Sequence, residues 1–183
     1  MPWKRATNCA NAPLREPDHN AKLAPAPASV GAISAAAIVP LMADEMDFNA
    51  INRALIADFR ANDGVVGGDF AGWPLVLVTT TGAKSGQERI APLVYTNDGD
   101  DIVIIASKGG APTSPDWYHN IVKTSAVKVE LPGDTFTATA TVHSYGSERD
   151  RLFKAQADVM PNFYEYEKAT TRTIPVVTLK RNA

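Results

Sequence analysis

Unpaired cations in glycine-rich connections are the part of this sequence best suited to chemistry. Lys84 lies within a Gly-Ala-Lys-Ser-Gly connection and Arg89 follows it, in an acid-poor stretch between Phe70 and Asn97 whose one carboxylate is Glu88. Lys108, which is followed by two glycines, is the single charged residue between positions 102 and 115. Glycine-rich loops at strand ends expose backbone N–H groups, and such groups bind anions together with cationic side chains. The sequence therefore predicts an anion-binding site.

Three apolar runs rich in Val, Ile, Leu and Thr must position these cations. They cover residues 76–78, 93–95 and 102–106, and Asn97-Asp98-Gly99-Asp100 has the composition of a turn. Short runs of this kind, bounded by Gly and Asp, are typical of strands. We therefore expect the cations at the ends of neighbouring strands.

The rest of the chain alternates between helical and strand patterns. Apolar residues recur at helical spacing from Asp44 to Asn62, and the charged residues 148–151 read as the solvated face of a later helix. Pro132-Gly133-Asp134 predicts a hairpin turn. The predicted elements are helices at 44–62, 116–123 and 147–159, the last ended by Pro161, and strands at 127–131, 136–142 and 174–179.

The order of these elements indicates the fold class. Short turns join most neighbouring strands, so the six strands form a largely antiparallel sheet with flanking helices. Such a sheet loses its exposed edges when it closes into a barrel. No G-x-G-x-x-G follows a strand and the strands do not alternate with helices, which argues against a dinucleotide-binding Rossmann fold. We predict a mostly β, six-stranded antiparallel barrel.

Composition restricts the classes of function. The chain has 183 residues, a formal net charge of −2, 45% hydrophobic and 21% charged residues, which predicts one soluble domain without nucleic-acid binding. The single cysteine, Cys9, cannot form an internal disulfide and fits a reducing compartment. The three histidines show no ligand spacing, so we expect no metal. These features favour a cytoplasmic protein.

The first 41 residues differ from the rest of the chain. They show no hydrophobic periodicity, and residues 23–43 carry no charge but are interrupted by prolines. We interpret residues 1–41 as a disordered or wrongly annotated extension, and residues 42–183 as the folded domain. The helix at 44–62 is expected to cover an open end of a sheet. Weak, peripheral membrane association through its apolar stripe is the less favoured alternative.

Composition and spacing thus give an anion-binding barrel without naming a reaction. Four ordered motifs between Leu77 and Arg181 resemble the deazaflavin-dependent nitroreductase family, whose members are also described as quinone reductases that use coenzyme F-420. The motifs are Thr79-Thr80-Thr81-Gly82-x-Lys84-Ser85-Gly86-Gln87 with Pro92-Leu93, Ala106-Ser107-Lys108-Gly109-Gly110, Pro115-x-Trp117-Tyr118-x-Asn120 and Thr171-Arg172-Thr173-Ile174-Pro175.

This resemblance implies a split β-barrel, similar to FMN-binding barrels, that binds a reduced deazaflavin. The coenzyme is polyanionic, so the cations Lys84, Arg89 and Lys108 would bind its phosphate and carboxylates. Ser85, Gly86 and Gln87 would supply backbone or side-chain hydrogen-bond donors. For Trp117, the alternative to a contact with the coenzyme is a structural position in the hydrophobic core. The implied coenzyme-binding residues are Lys84, Ser85, Gly86, Gln87, Arg89, Pro92, Ala106, Ser107, Lys108, Trp117 and Asn120.

The implied reaction is hydride transfer to a quinone-like or nitroaromatic acceptor. Ser107 and Tyr166 match family residues near the substrate and would assist catalysis, while Met160, Phe163 and Tyr166 would form the substrate pocket. Family members often carry tyrosine where this chain has Met160 and Phe163, which favours an apolar quinone over a nitroaromatic. The alternatives are a non-catalytic deazaflavin- or lipid-binding barrel and an FMN-dependent oxidase. The physiological acceptor and the oligomeric state are left open.

Overall fold

The computed structural model describes residues 48–182 as six strands with four α-helices and two short 3-10 turns. The predicted extension 1–41 lies outside the described residues, as does the predicted helix start at 44. The seven-residue helix after Pro161 is absent from the sequence prediction. In chain order the elements are α1 (Phe48–Ala61), β1 (Leu75–Thr81), β2 (Glu88–Asp98), β3 (Asp101–Ile105), α2 (Asp116–Lys123), β4 (Ala126–Leu131), β5 (Asp134–His143), α3 (Ser147–Val159), α4 (Asn162–Lys168) and β6 (Val176–Arg181), with 3-10 turns at Gly68–Phe70 and Lys108–Gly110.

The six strands form a closed antiparallel barrel in the order β1-β2-β3-β6-β5-β4. The predicted hairpin is present, because β4 pairs with β5 from Ala126↔Thr139 to Leu131↔Asp134. The barrel closes where β1 pairs with β4 at Leu77↔Glu130, Val78↔Val129 and Thr79↔Lys128. The predicted six-stranded antiparallel barrel is therefore confirmed.

Alternation along the strands separates the interior of the barrel from its outer surface. Val76 and Val78 of β1 belong to the interior cluster, whereas Leu75 and Leu77 pack outward beneath Phe59 of α1. Because β1 is covered on both faces, it reads as a continuous apolar run rather than an alternating one. α1 therefore covers the outer face of β1 and β2 rather than an open end of the sheet, as was predicted.

Helices α3 and α4 cover a second part of the outer surface. Leu152, Phe153 and Ala157 of α3 pack with Phe163 of α4 against outward residues of β3 and β6 such as Val103. This packing fixes α4 beside the end of β3, where the candidate site lies.

Arg149 corrects the prediction that residues 148–151 form a solvated face. Because Arg149 precedes Leu152 and Phe153 by three and four residues, it lies on the same buried face of α3. Only 6% of the residue is exposed. The guanidinium donates to the Ile174 carbonyl at 2.9 Å and to the Glu167 carboxylate at 2.8 Å, and it lies 4.3 Å from the centre of the Phe153 ring. These partners compensate the buried charge and attach α3 to the segment before β6.

No helix within residues 48–182 is both long and apolar enough to cross a membrane. The apolar side of α1 packs against the barrel through Leu55, Ile56 and Phe59. Peripheral membrane association through that side stays a prediction, although the barrel already occupies the face that it requires.

Candidate functional site

A cavity of about 370 Å³ lies outside the barrel, between β2, the end of β3, α2 and α4. Its wall is mostly apolar with a few polar groups, which is the usual composition of a site for a small organic molecule. The wall contains Phe70, Trp73, Pro92, Leu93, Val94, Ile105, Ser107, Lys108, Gly109, Pro115, Trp117, Asn162, Phe163 and Tyr166.

The loop that follows β3 carries Ser107 and Lys108 into this wall. Its first carbonyl groups are held by Arg172, whose Nη2 donates to Ala106 O at 3.0 Å and to Ser107 O at 2.8 Å. Nε of the same guanidinium donates to Ala111 O at 2.9 Å, and Nη1 donates to Ser114 Oγ at 3.3 Å. One planar group thus fixes both ends of the loop. Burial lowers the pKa of Arg172 from its ordinary value, which still leaves the side chain cationic at neutral pH.

Gly110 allows this loop to lie directly against α4. Its φ of 83° favours glycine, and a Cβ atom placed there would lie 2.9 Å from Ala169 Cβ and 3.0 Å from Tyr166 O. The backbone of α4 therefore reaches the loop only because position 110 has no side chain. This contact brings Tyr166 to the same cavity as Ser107.

Tyr166 and Asn162 provide the polar groups of α4. They are four residues apart, one helical turn, and Asn162 Nδ2 donates to Tyr166 Oη at 3.2 Å. The Tyr166 ring packs edge-to-face on Phe163, with centroids 5.8 Å apart. Because the phenol oxygen already accepts a hydrogen bond, its own hydrogen is available to a molecule in the cavity.

Helix α2 carries the two remaining motif residues, which have different positions. Trp117 belongs to the barrel core and also lines the cavity, with 9% of the residue exposed. Asn120 is 6% exposed and lies outside the cavity wall. Its Oδ1 accepts from Ala83 N at 2.8 Å and its Nδ2 donates to Thr80 Oγ1 at 3.0 Å. The structure therefore gives Asn120 the task of attaching α2 to the β1–β2 connection.

The β1–β2 connection uses part of its backbone for internal hydrogen bonds, which occupy the N–H groups of Gly82, Gly86 and Gln87. The N–H of Gly82 donates to Gln87 O at 2.8 Å, and that of Gly86 donates to Gly82 O at 2.8 Å. Gln87 N–H donates to Ser85 Oγ at 3.3 Å. A tight connection between two paired strands closes by such internal bonds. Anion binding by this connection stays a prediction, and it would involve side chains together with the N–H groups that these bonds do not occupy.

Three cations lie at this connection. Lys84 and Arg89 are exposed, and Arg89 Nη2 donates to Gln87 Oε1 at 3.3 Å. Lys123 of α2, which the sequence analysis did not select, donates a hydrogen bond from its Nζ to Ala83 O. Arg89 precedes Pro92 of the cavity wall by three residues, about 10 Å along a strand. The connection with these cations, and with the exposed Glu88 carboxylate, thus follows the cavity wall along β2.

The predicted residues therefore fall into three groups. Pro92, Ser107, Lys108, Trp117, Phe163 and Tyr166 line the cavity, whereas Lys84, Ser85, Gly86, Gln87 and Arg89 form the connection beyond it. Asn120, Ala106 and Met160 lie behind the wall. Met160 is 5% exposed and packs in the outer core.

Among the contributors that escaped the sequence analysis, Arg172 and Asn162 make hydrogen bonds that position polar groups of the cavity wall. Arg172 stands in one of the quoted motifs, but its contact with Ser107 spans 65 positions of sequence. Asn162 could have been found from its spacing of four residues before Tyr166, had α4 been predicted. A seven-residue helix directly after a proline is too short to show periodicity.

No group of three or more His, Cys, Asp and Glu side chains within residues 48–182 is placed to hold a metal ion. Lys108 Nζ donates to Thr113 Oγ1 at 3.2 Å, within its own loop.

Comparison with known proteins relates this arrangement to a family. The profile of the F420H(2)-dependent quinone reductase family matches residues 51–181, a range that contains all six strands and the whole cavity wall. An F420H(2)-dependent quinone reductase of Mycobacterium tuberculosis (strain ATCC 25618 / H37Rv) is 39% identical over 128 residues, covering 68% of this chain and 86% of that protein.

Two solved structures are similar as well. One, described as an F420-H2 dependent reductase, has a TM-score of 0.54 and 37% identity, covering 58% of this chain and 94% of that chain. The other, described as a domain-swapped dimer, has a TM-score of 0.56 and 34% identity, covering 73% of this chain and 98% of that chain.

Proposed function

The chain belongs to the family of F420H(2)-dependent quinone reductases, and on that premise we propose that it reduces a quinone with the reduced deazaflavin coenzyme F-420. One observation carries the proposal: parts of three separate sequence motifs, Pro92, Ser107 and Trp117, line one cavity beside Tyr166. Residues far apart in the chain thus meet where an aromatic acceptor and a flavin-like ring would have to meet.

The residues present fit this coenzyme. The cavity wall contains the flat faces of Trp117 and Pro92 and is otherwise largely apolar, as a fused aromatic ring requires. Beyond Pro92, the connection with Lys84 and Arg89 supplies the positive charge that a phosphodiester and glutamate carboxylates need. We therefore assign the ring to the cavity wall and the anionic tail to Lys84, Arg89 and Lys123.

When bound, the reduced coenzyme would supply one hydride, that is one proton and two electrons. Tyr166 Oη, which accepts a hydrogen bond from Asn162, would donate a hydrogen bond to the quinone oxygen on which negative charge develops. The Ser107 hydroxyl, on the opposite loop, is the second donor of the wall. Arg172 acts on Ser107 through the loop backbone and keeps this donor in place. Phe163 and Trp73 exclude water from the reacting groups.

A quinone suits this wall better than a nitroaromatic acceptor. Phe163 contributes a ring without a hydroxyl, and Met160 lies in the core behind the wall. Few polar groups therefore remain to bind the two oxygens of a nitro group. Nitroaromatic reduction stays a prediction for a variant in which Met160→Tyr and Phe163→Tyr are combined.

The test of this function is direct. Purified protein is mixed with reduced coenzyme F-420 and a panel of quinones, and reoxidation is followed by the absorbance of the deazaflavin. We expect the protein to accelerate quinone-dependent oxidation of reduced F-420 and to leave the spontaneous oxidation of reduced FMN unchanged. Tight binding of the coenzyme without oxidation by any quinone would instead identify a binding protein.

A further inference from the structure

One side of the cavity wall is a β-turn with an aromatic residue at each end. Ala71 has a φ of −56° and a ψ of 123°, Gly72 has a φ of 80°, and Trp73 N–H donates to Phe70 O at 3.1 Å. These values define a type II turn, whose third residue needs a positive φ and is therefore usually glycine. The turn brings Phe70 and Trp73, its first and fourth residues, close together on the wall.

The backbone of this turn is attached to the rest of the fold at its two ends. Both backbone hydrogen bonds described for residues 68–73 join residues three apart within the segment, at 3.1 Å each. At the ends, Gly67 N–H donates to Asp58 Oδ2 at 2.9 Å and Tyr95 N–H donates to Pro74 O at 3.2 Å. A Cβ atom added at position 68 or 72 would meet no other atom within 4 Å, so there is open space beside the turn. A segment fixed at its ends in this way can move as a unit, as lids over active sites do.

The two aromatic side chains hold the turn against the wall. Phe70 is partly buried and packs on the cluster of Phe59 beneath α1. Trp73, also partly buried, packs together with Tyr166 on the cluster that contains Phe163. Apolar contacts are not directional, so they stabilise this closed position less strictly than hydrogen bonds would. A flat ring in the cavity would add contacts with both side chains and thus favour closure.

We propose that residues 68–73 form an aromatic flap, which opens to admit the acceptor and then closes Phe70 and Trp73 on its ring. The inference rests on the proposed function and adds specificity residues to it. The coenzyme ring is assigned to the wall at Trp117 and Pro92, which leaves the turn to meet the acceptor. Closure also removes water from the place where the hydride is transferred. Coenzyme alone should therefore leave the flap open, and the acceptor should close it.

Substitutions show whether the flap selects the acceptor. Trp73→Ala should weaken binding of 2-methyl-1,4-naphthoquinone to the complex with oxidised coenzyme F-420 about tenfold, and Trp73→Phe, which keeps a flat ring, less than about threefold. Neither variant should change the affinity for the coenzyme. Val65→Ala lies in the same connection, but Val65 is 71% exposed and outside the wall, so this control should change neither affinity. If Trp73→Ala weakens coenzyme and quinone binding equally, the side chain does not select the acceptor and the inference is overturned.

Hydrogen exchange followed by mass spectrometry tests the motion on the full-length parent protein, without any substitution. The amides of residues 68–73 should exchange fast in the free protein and with oxidised coenzyme, and at least about tenfold more slowly when the methylquinone is also present. The coenzyme is oxidised, so this mixture transfers no hydride. The turn at Gly99-Asp100, which also contains a glycine of positive φ but lies outside the wall, should exchange fast throughout.

The outcomes for the flap and for the proposed function are separable. Protection of residues 68–73 by the coenzyme alone, or exchange in the free protein as slow as that of β1, overturns the flap. Unchanged exchange with a quinone that the protein reduces in turnover also overturns it and leaves the proposed function intact. Protection by the quinone without any oxidation of reduced coenzyme supports the flap, whereas the proposed function then fails.

Discussion

Tyr166 is the residue on which the proposed chemistry depends most directly. Replacing it by Phe keeps the ring against Phe163 and removes only the hydroxyl that Asn162 orients. We expect kcat for a quinone to fall by about 10²–10³-fold, because one donor to the developing oxyanion is lost. Steady-state kinetics with saturating reduced coenzyme measures this.

Tyr164 offers the matched control on the same helix. Its hydroxyl donates to Asp158 Oδ1 at 2.7 Å, on the outside of the molecule. Tyr164→Phe should therefore leave kcat unchanged. Unaltered turnover in Tyr166→Phe would mean that positioning, rather than hydrogen-bond donation, carries the rate.

Lys84 tests the assignment of the coenzyme tail. It is exposed in the β1–β2 connection, so Lys84→Ala should not disturb the fold. The loss of one charge-assisted contact should weaken coenzyme binding by about 1.5 kcal/mol, or roughly tenfold, and the loss should shrink at high salt. Fluorescence titration measures it.

The control for Lys84→Ala is Lys180→Ala, which removes an exposed cation from β6. This variant should bind the coenzyme like the parent. If both substitutions weaken coenzyme binding equally, the loss comes from the change in net charge and not from a contact with Lys84. If the parent protein binds FMN as tightly as the coenzyme, the assignment of the tail is contradicted.

Sequence motifs identified the wall residues Pro92, Ser107 and Trp117, and the family resemblance added Tyr166, but neither could supply the partners of these residues. Each motif residue has a type that suits a ligand whatever surrounds it. The roles of Arg172 and Asn162 depend on contacts made by folding, with a loop 65 positions away in one case and with an unpredicted helix in the other. The sequence shows the type of each residue, but it does not show which distant residues will contact it in the folded protein.

At the scale of elements, the loop after β3 depends on one guanidinium. Arg172→Lys retains the charge but cannot satisfy four acceptors in one plane. We expect the free energy of unfolding to fall by about 2 kcal/mol and the affinity for the coenzyme to fall with it. Chemical denaturation and fluorescence titration report the two effects.

Arg151→Lys is the comparison for this change. Arg151 also bonds to two partners, Asp98 and Glu148, but on the exposed surface. Its substitution should change stability by less than about 0.5 kcal/mol. Equal effects of the two variants would mean that the loop does not depend on Arg172.

The Arg60–Glu130 pair joins α1 to β4 and makes stability depend on pH. Two hydrogen bonds from Arg60, at 3.0 and 2.6 Å, hold the pKa of the Glu130 carboxyl below its ordinary value. A lowered folded-state pKa gives stability that is present above the unfolded pKa of about 4.3 and is lost as pH falls through the folded value.

Glu130→Gln should therefore destabilise the protein by about 0.5 to 1 kcal/mol at pH 7 and by progressively less below about pH 4. Denaturation midpoints measured from pH 3 to pH 8 give this curve. Glu88→Gln, which removes an exposed carboxylate in the β1–β2 connection, is the control for lost charge. A constant deficit for Glu130→Gln at all pH values would exclude the ionised pair as its source.

The elements themselves were largely predictable, with two informative exceptions. β2 extends from Glu88 to Asp98, well beyond the apolar run 93–95, because pairing with β1 continues through polar residues up to Thr81↔Glu88. Arg149 is buried because the phase of α3 and its partners override its charge. Tertiary pairing, and not local composition, decides such positions.

At the scale of the whole molecule, residues 1–41 are expected to be dispensable. A protein that begins at Met42 retains α1 and should melt within a few degrees of the full chain. One that begins at Gly64 loses α1 and uncovers Leu75 and Leu77, which are almost completely buried. It should unfold at a much lower temperature.

Calorimetric melting of the three proteins measures both effects, and coenzyme titration shows whether the site is kept. A large loss in the protein that starts at Met42 would make residues 1–41 part of the fold. Barrel closure itself followed from the number of strands and the short turns between most neighbours, whereas the neighbours β3 and β6, far apart in sequence, could not be paired from sequence patterns.

The hydrogen bond from Arg172 to Ser107 also affects the order in which parts of the molecule can form during synthesis. A ribosome releases the chain from its N-terminus, so the loop with Ser107 emerges long before the guanidinium that holds it. Five of the six strands precede Arg172 and can begin to pair while the loop still lacks its support. During synthesis the cavity is thus completed late, and a nascent chain that stalls before Arg172 carries most of the barrel without the group that holds the loop at Ser107.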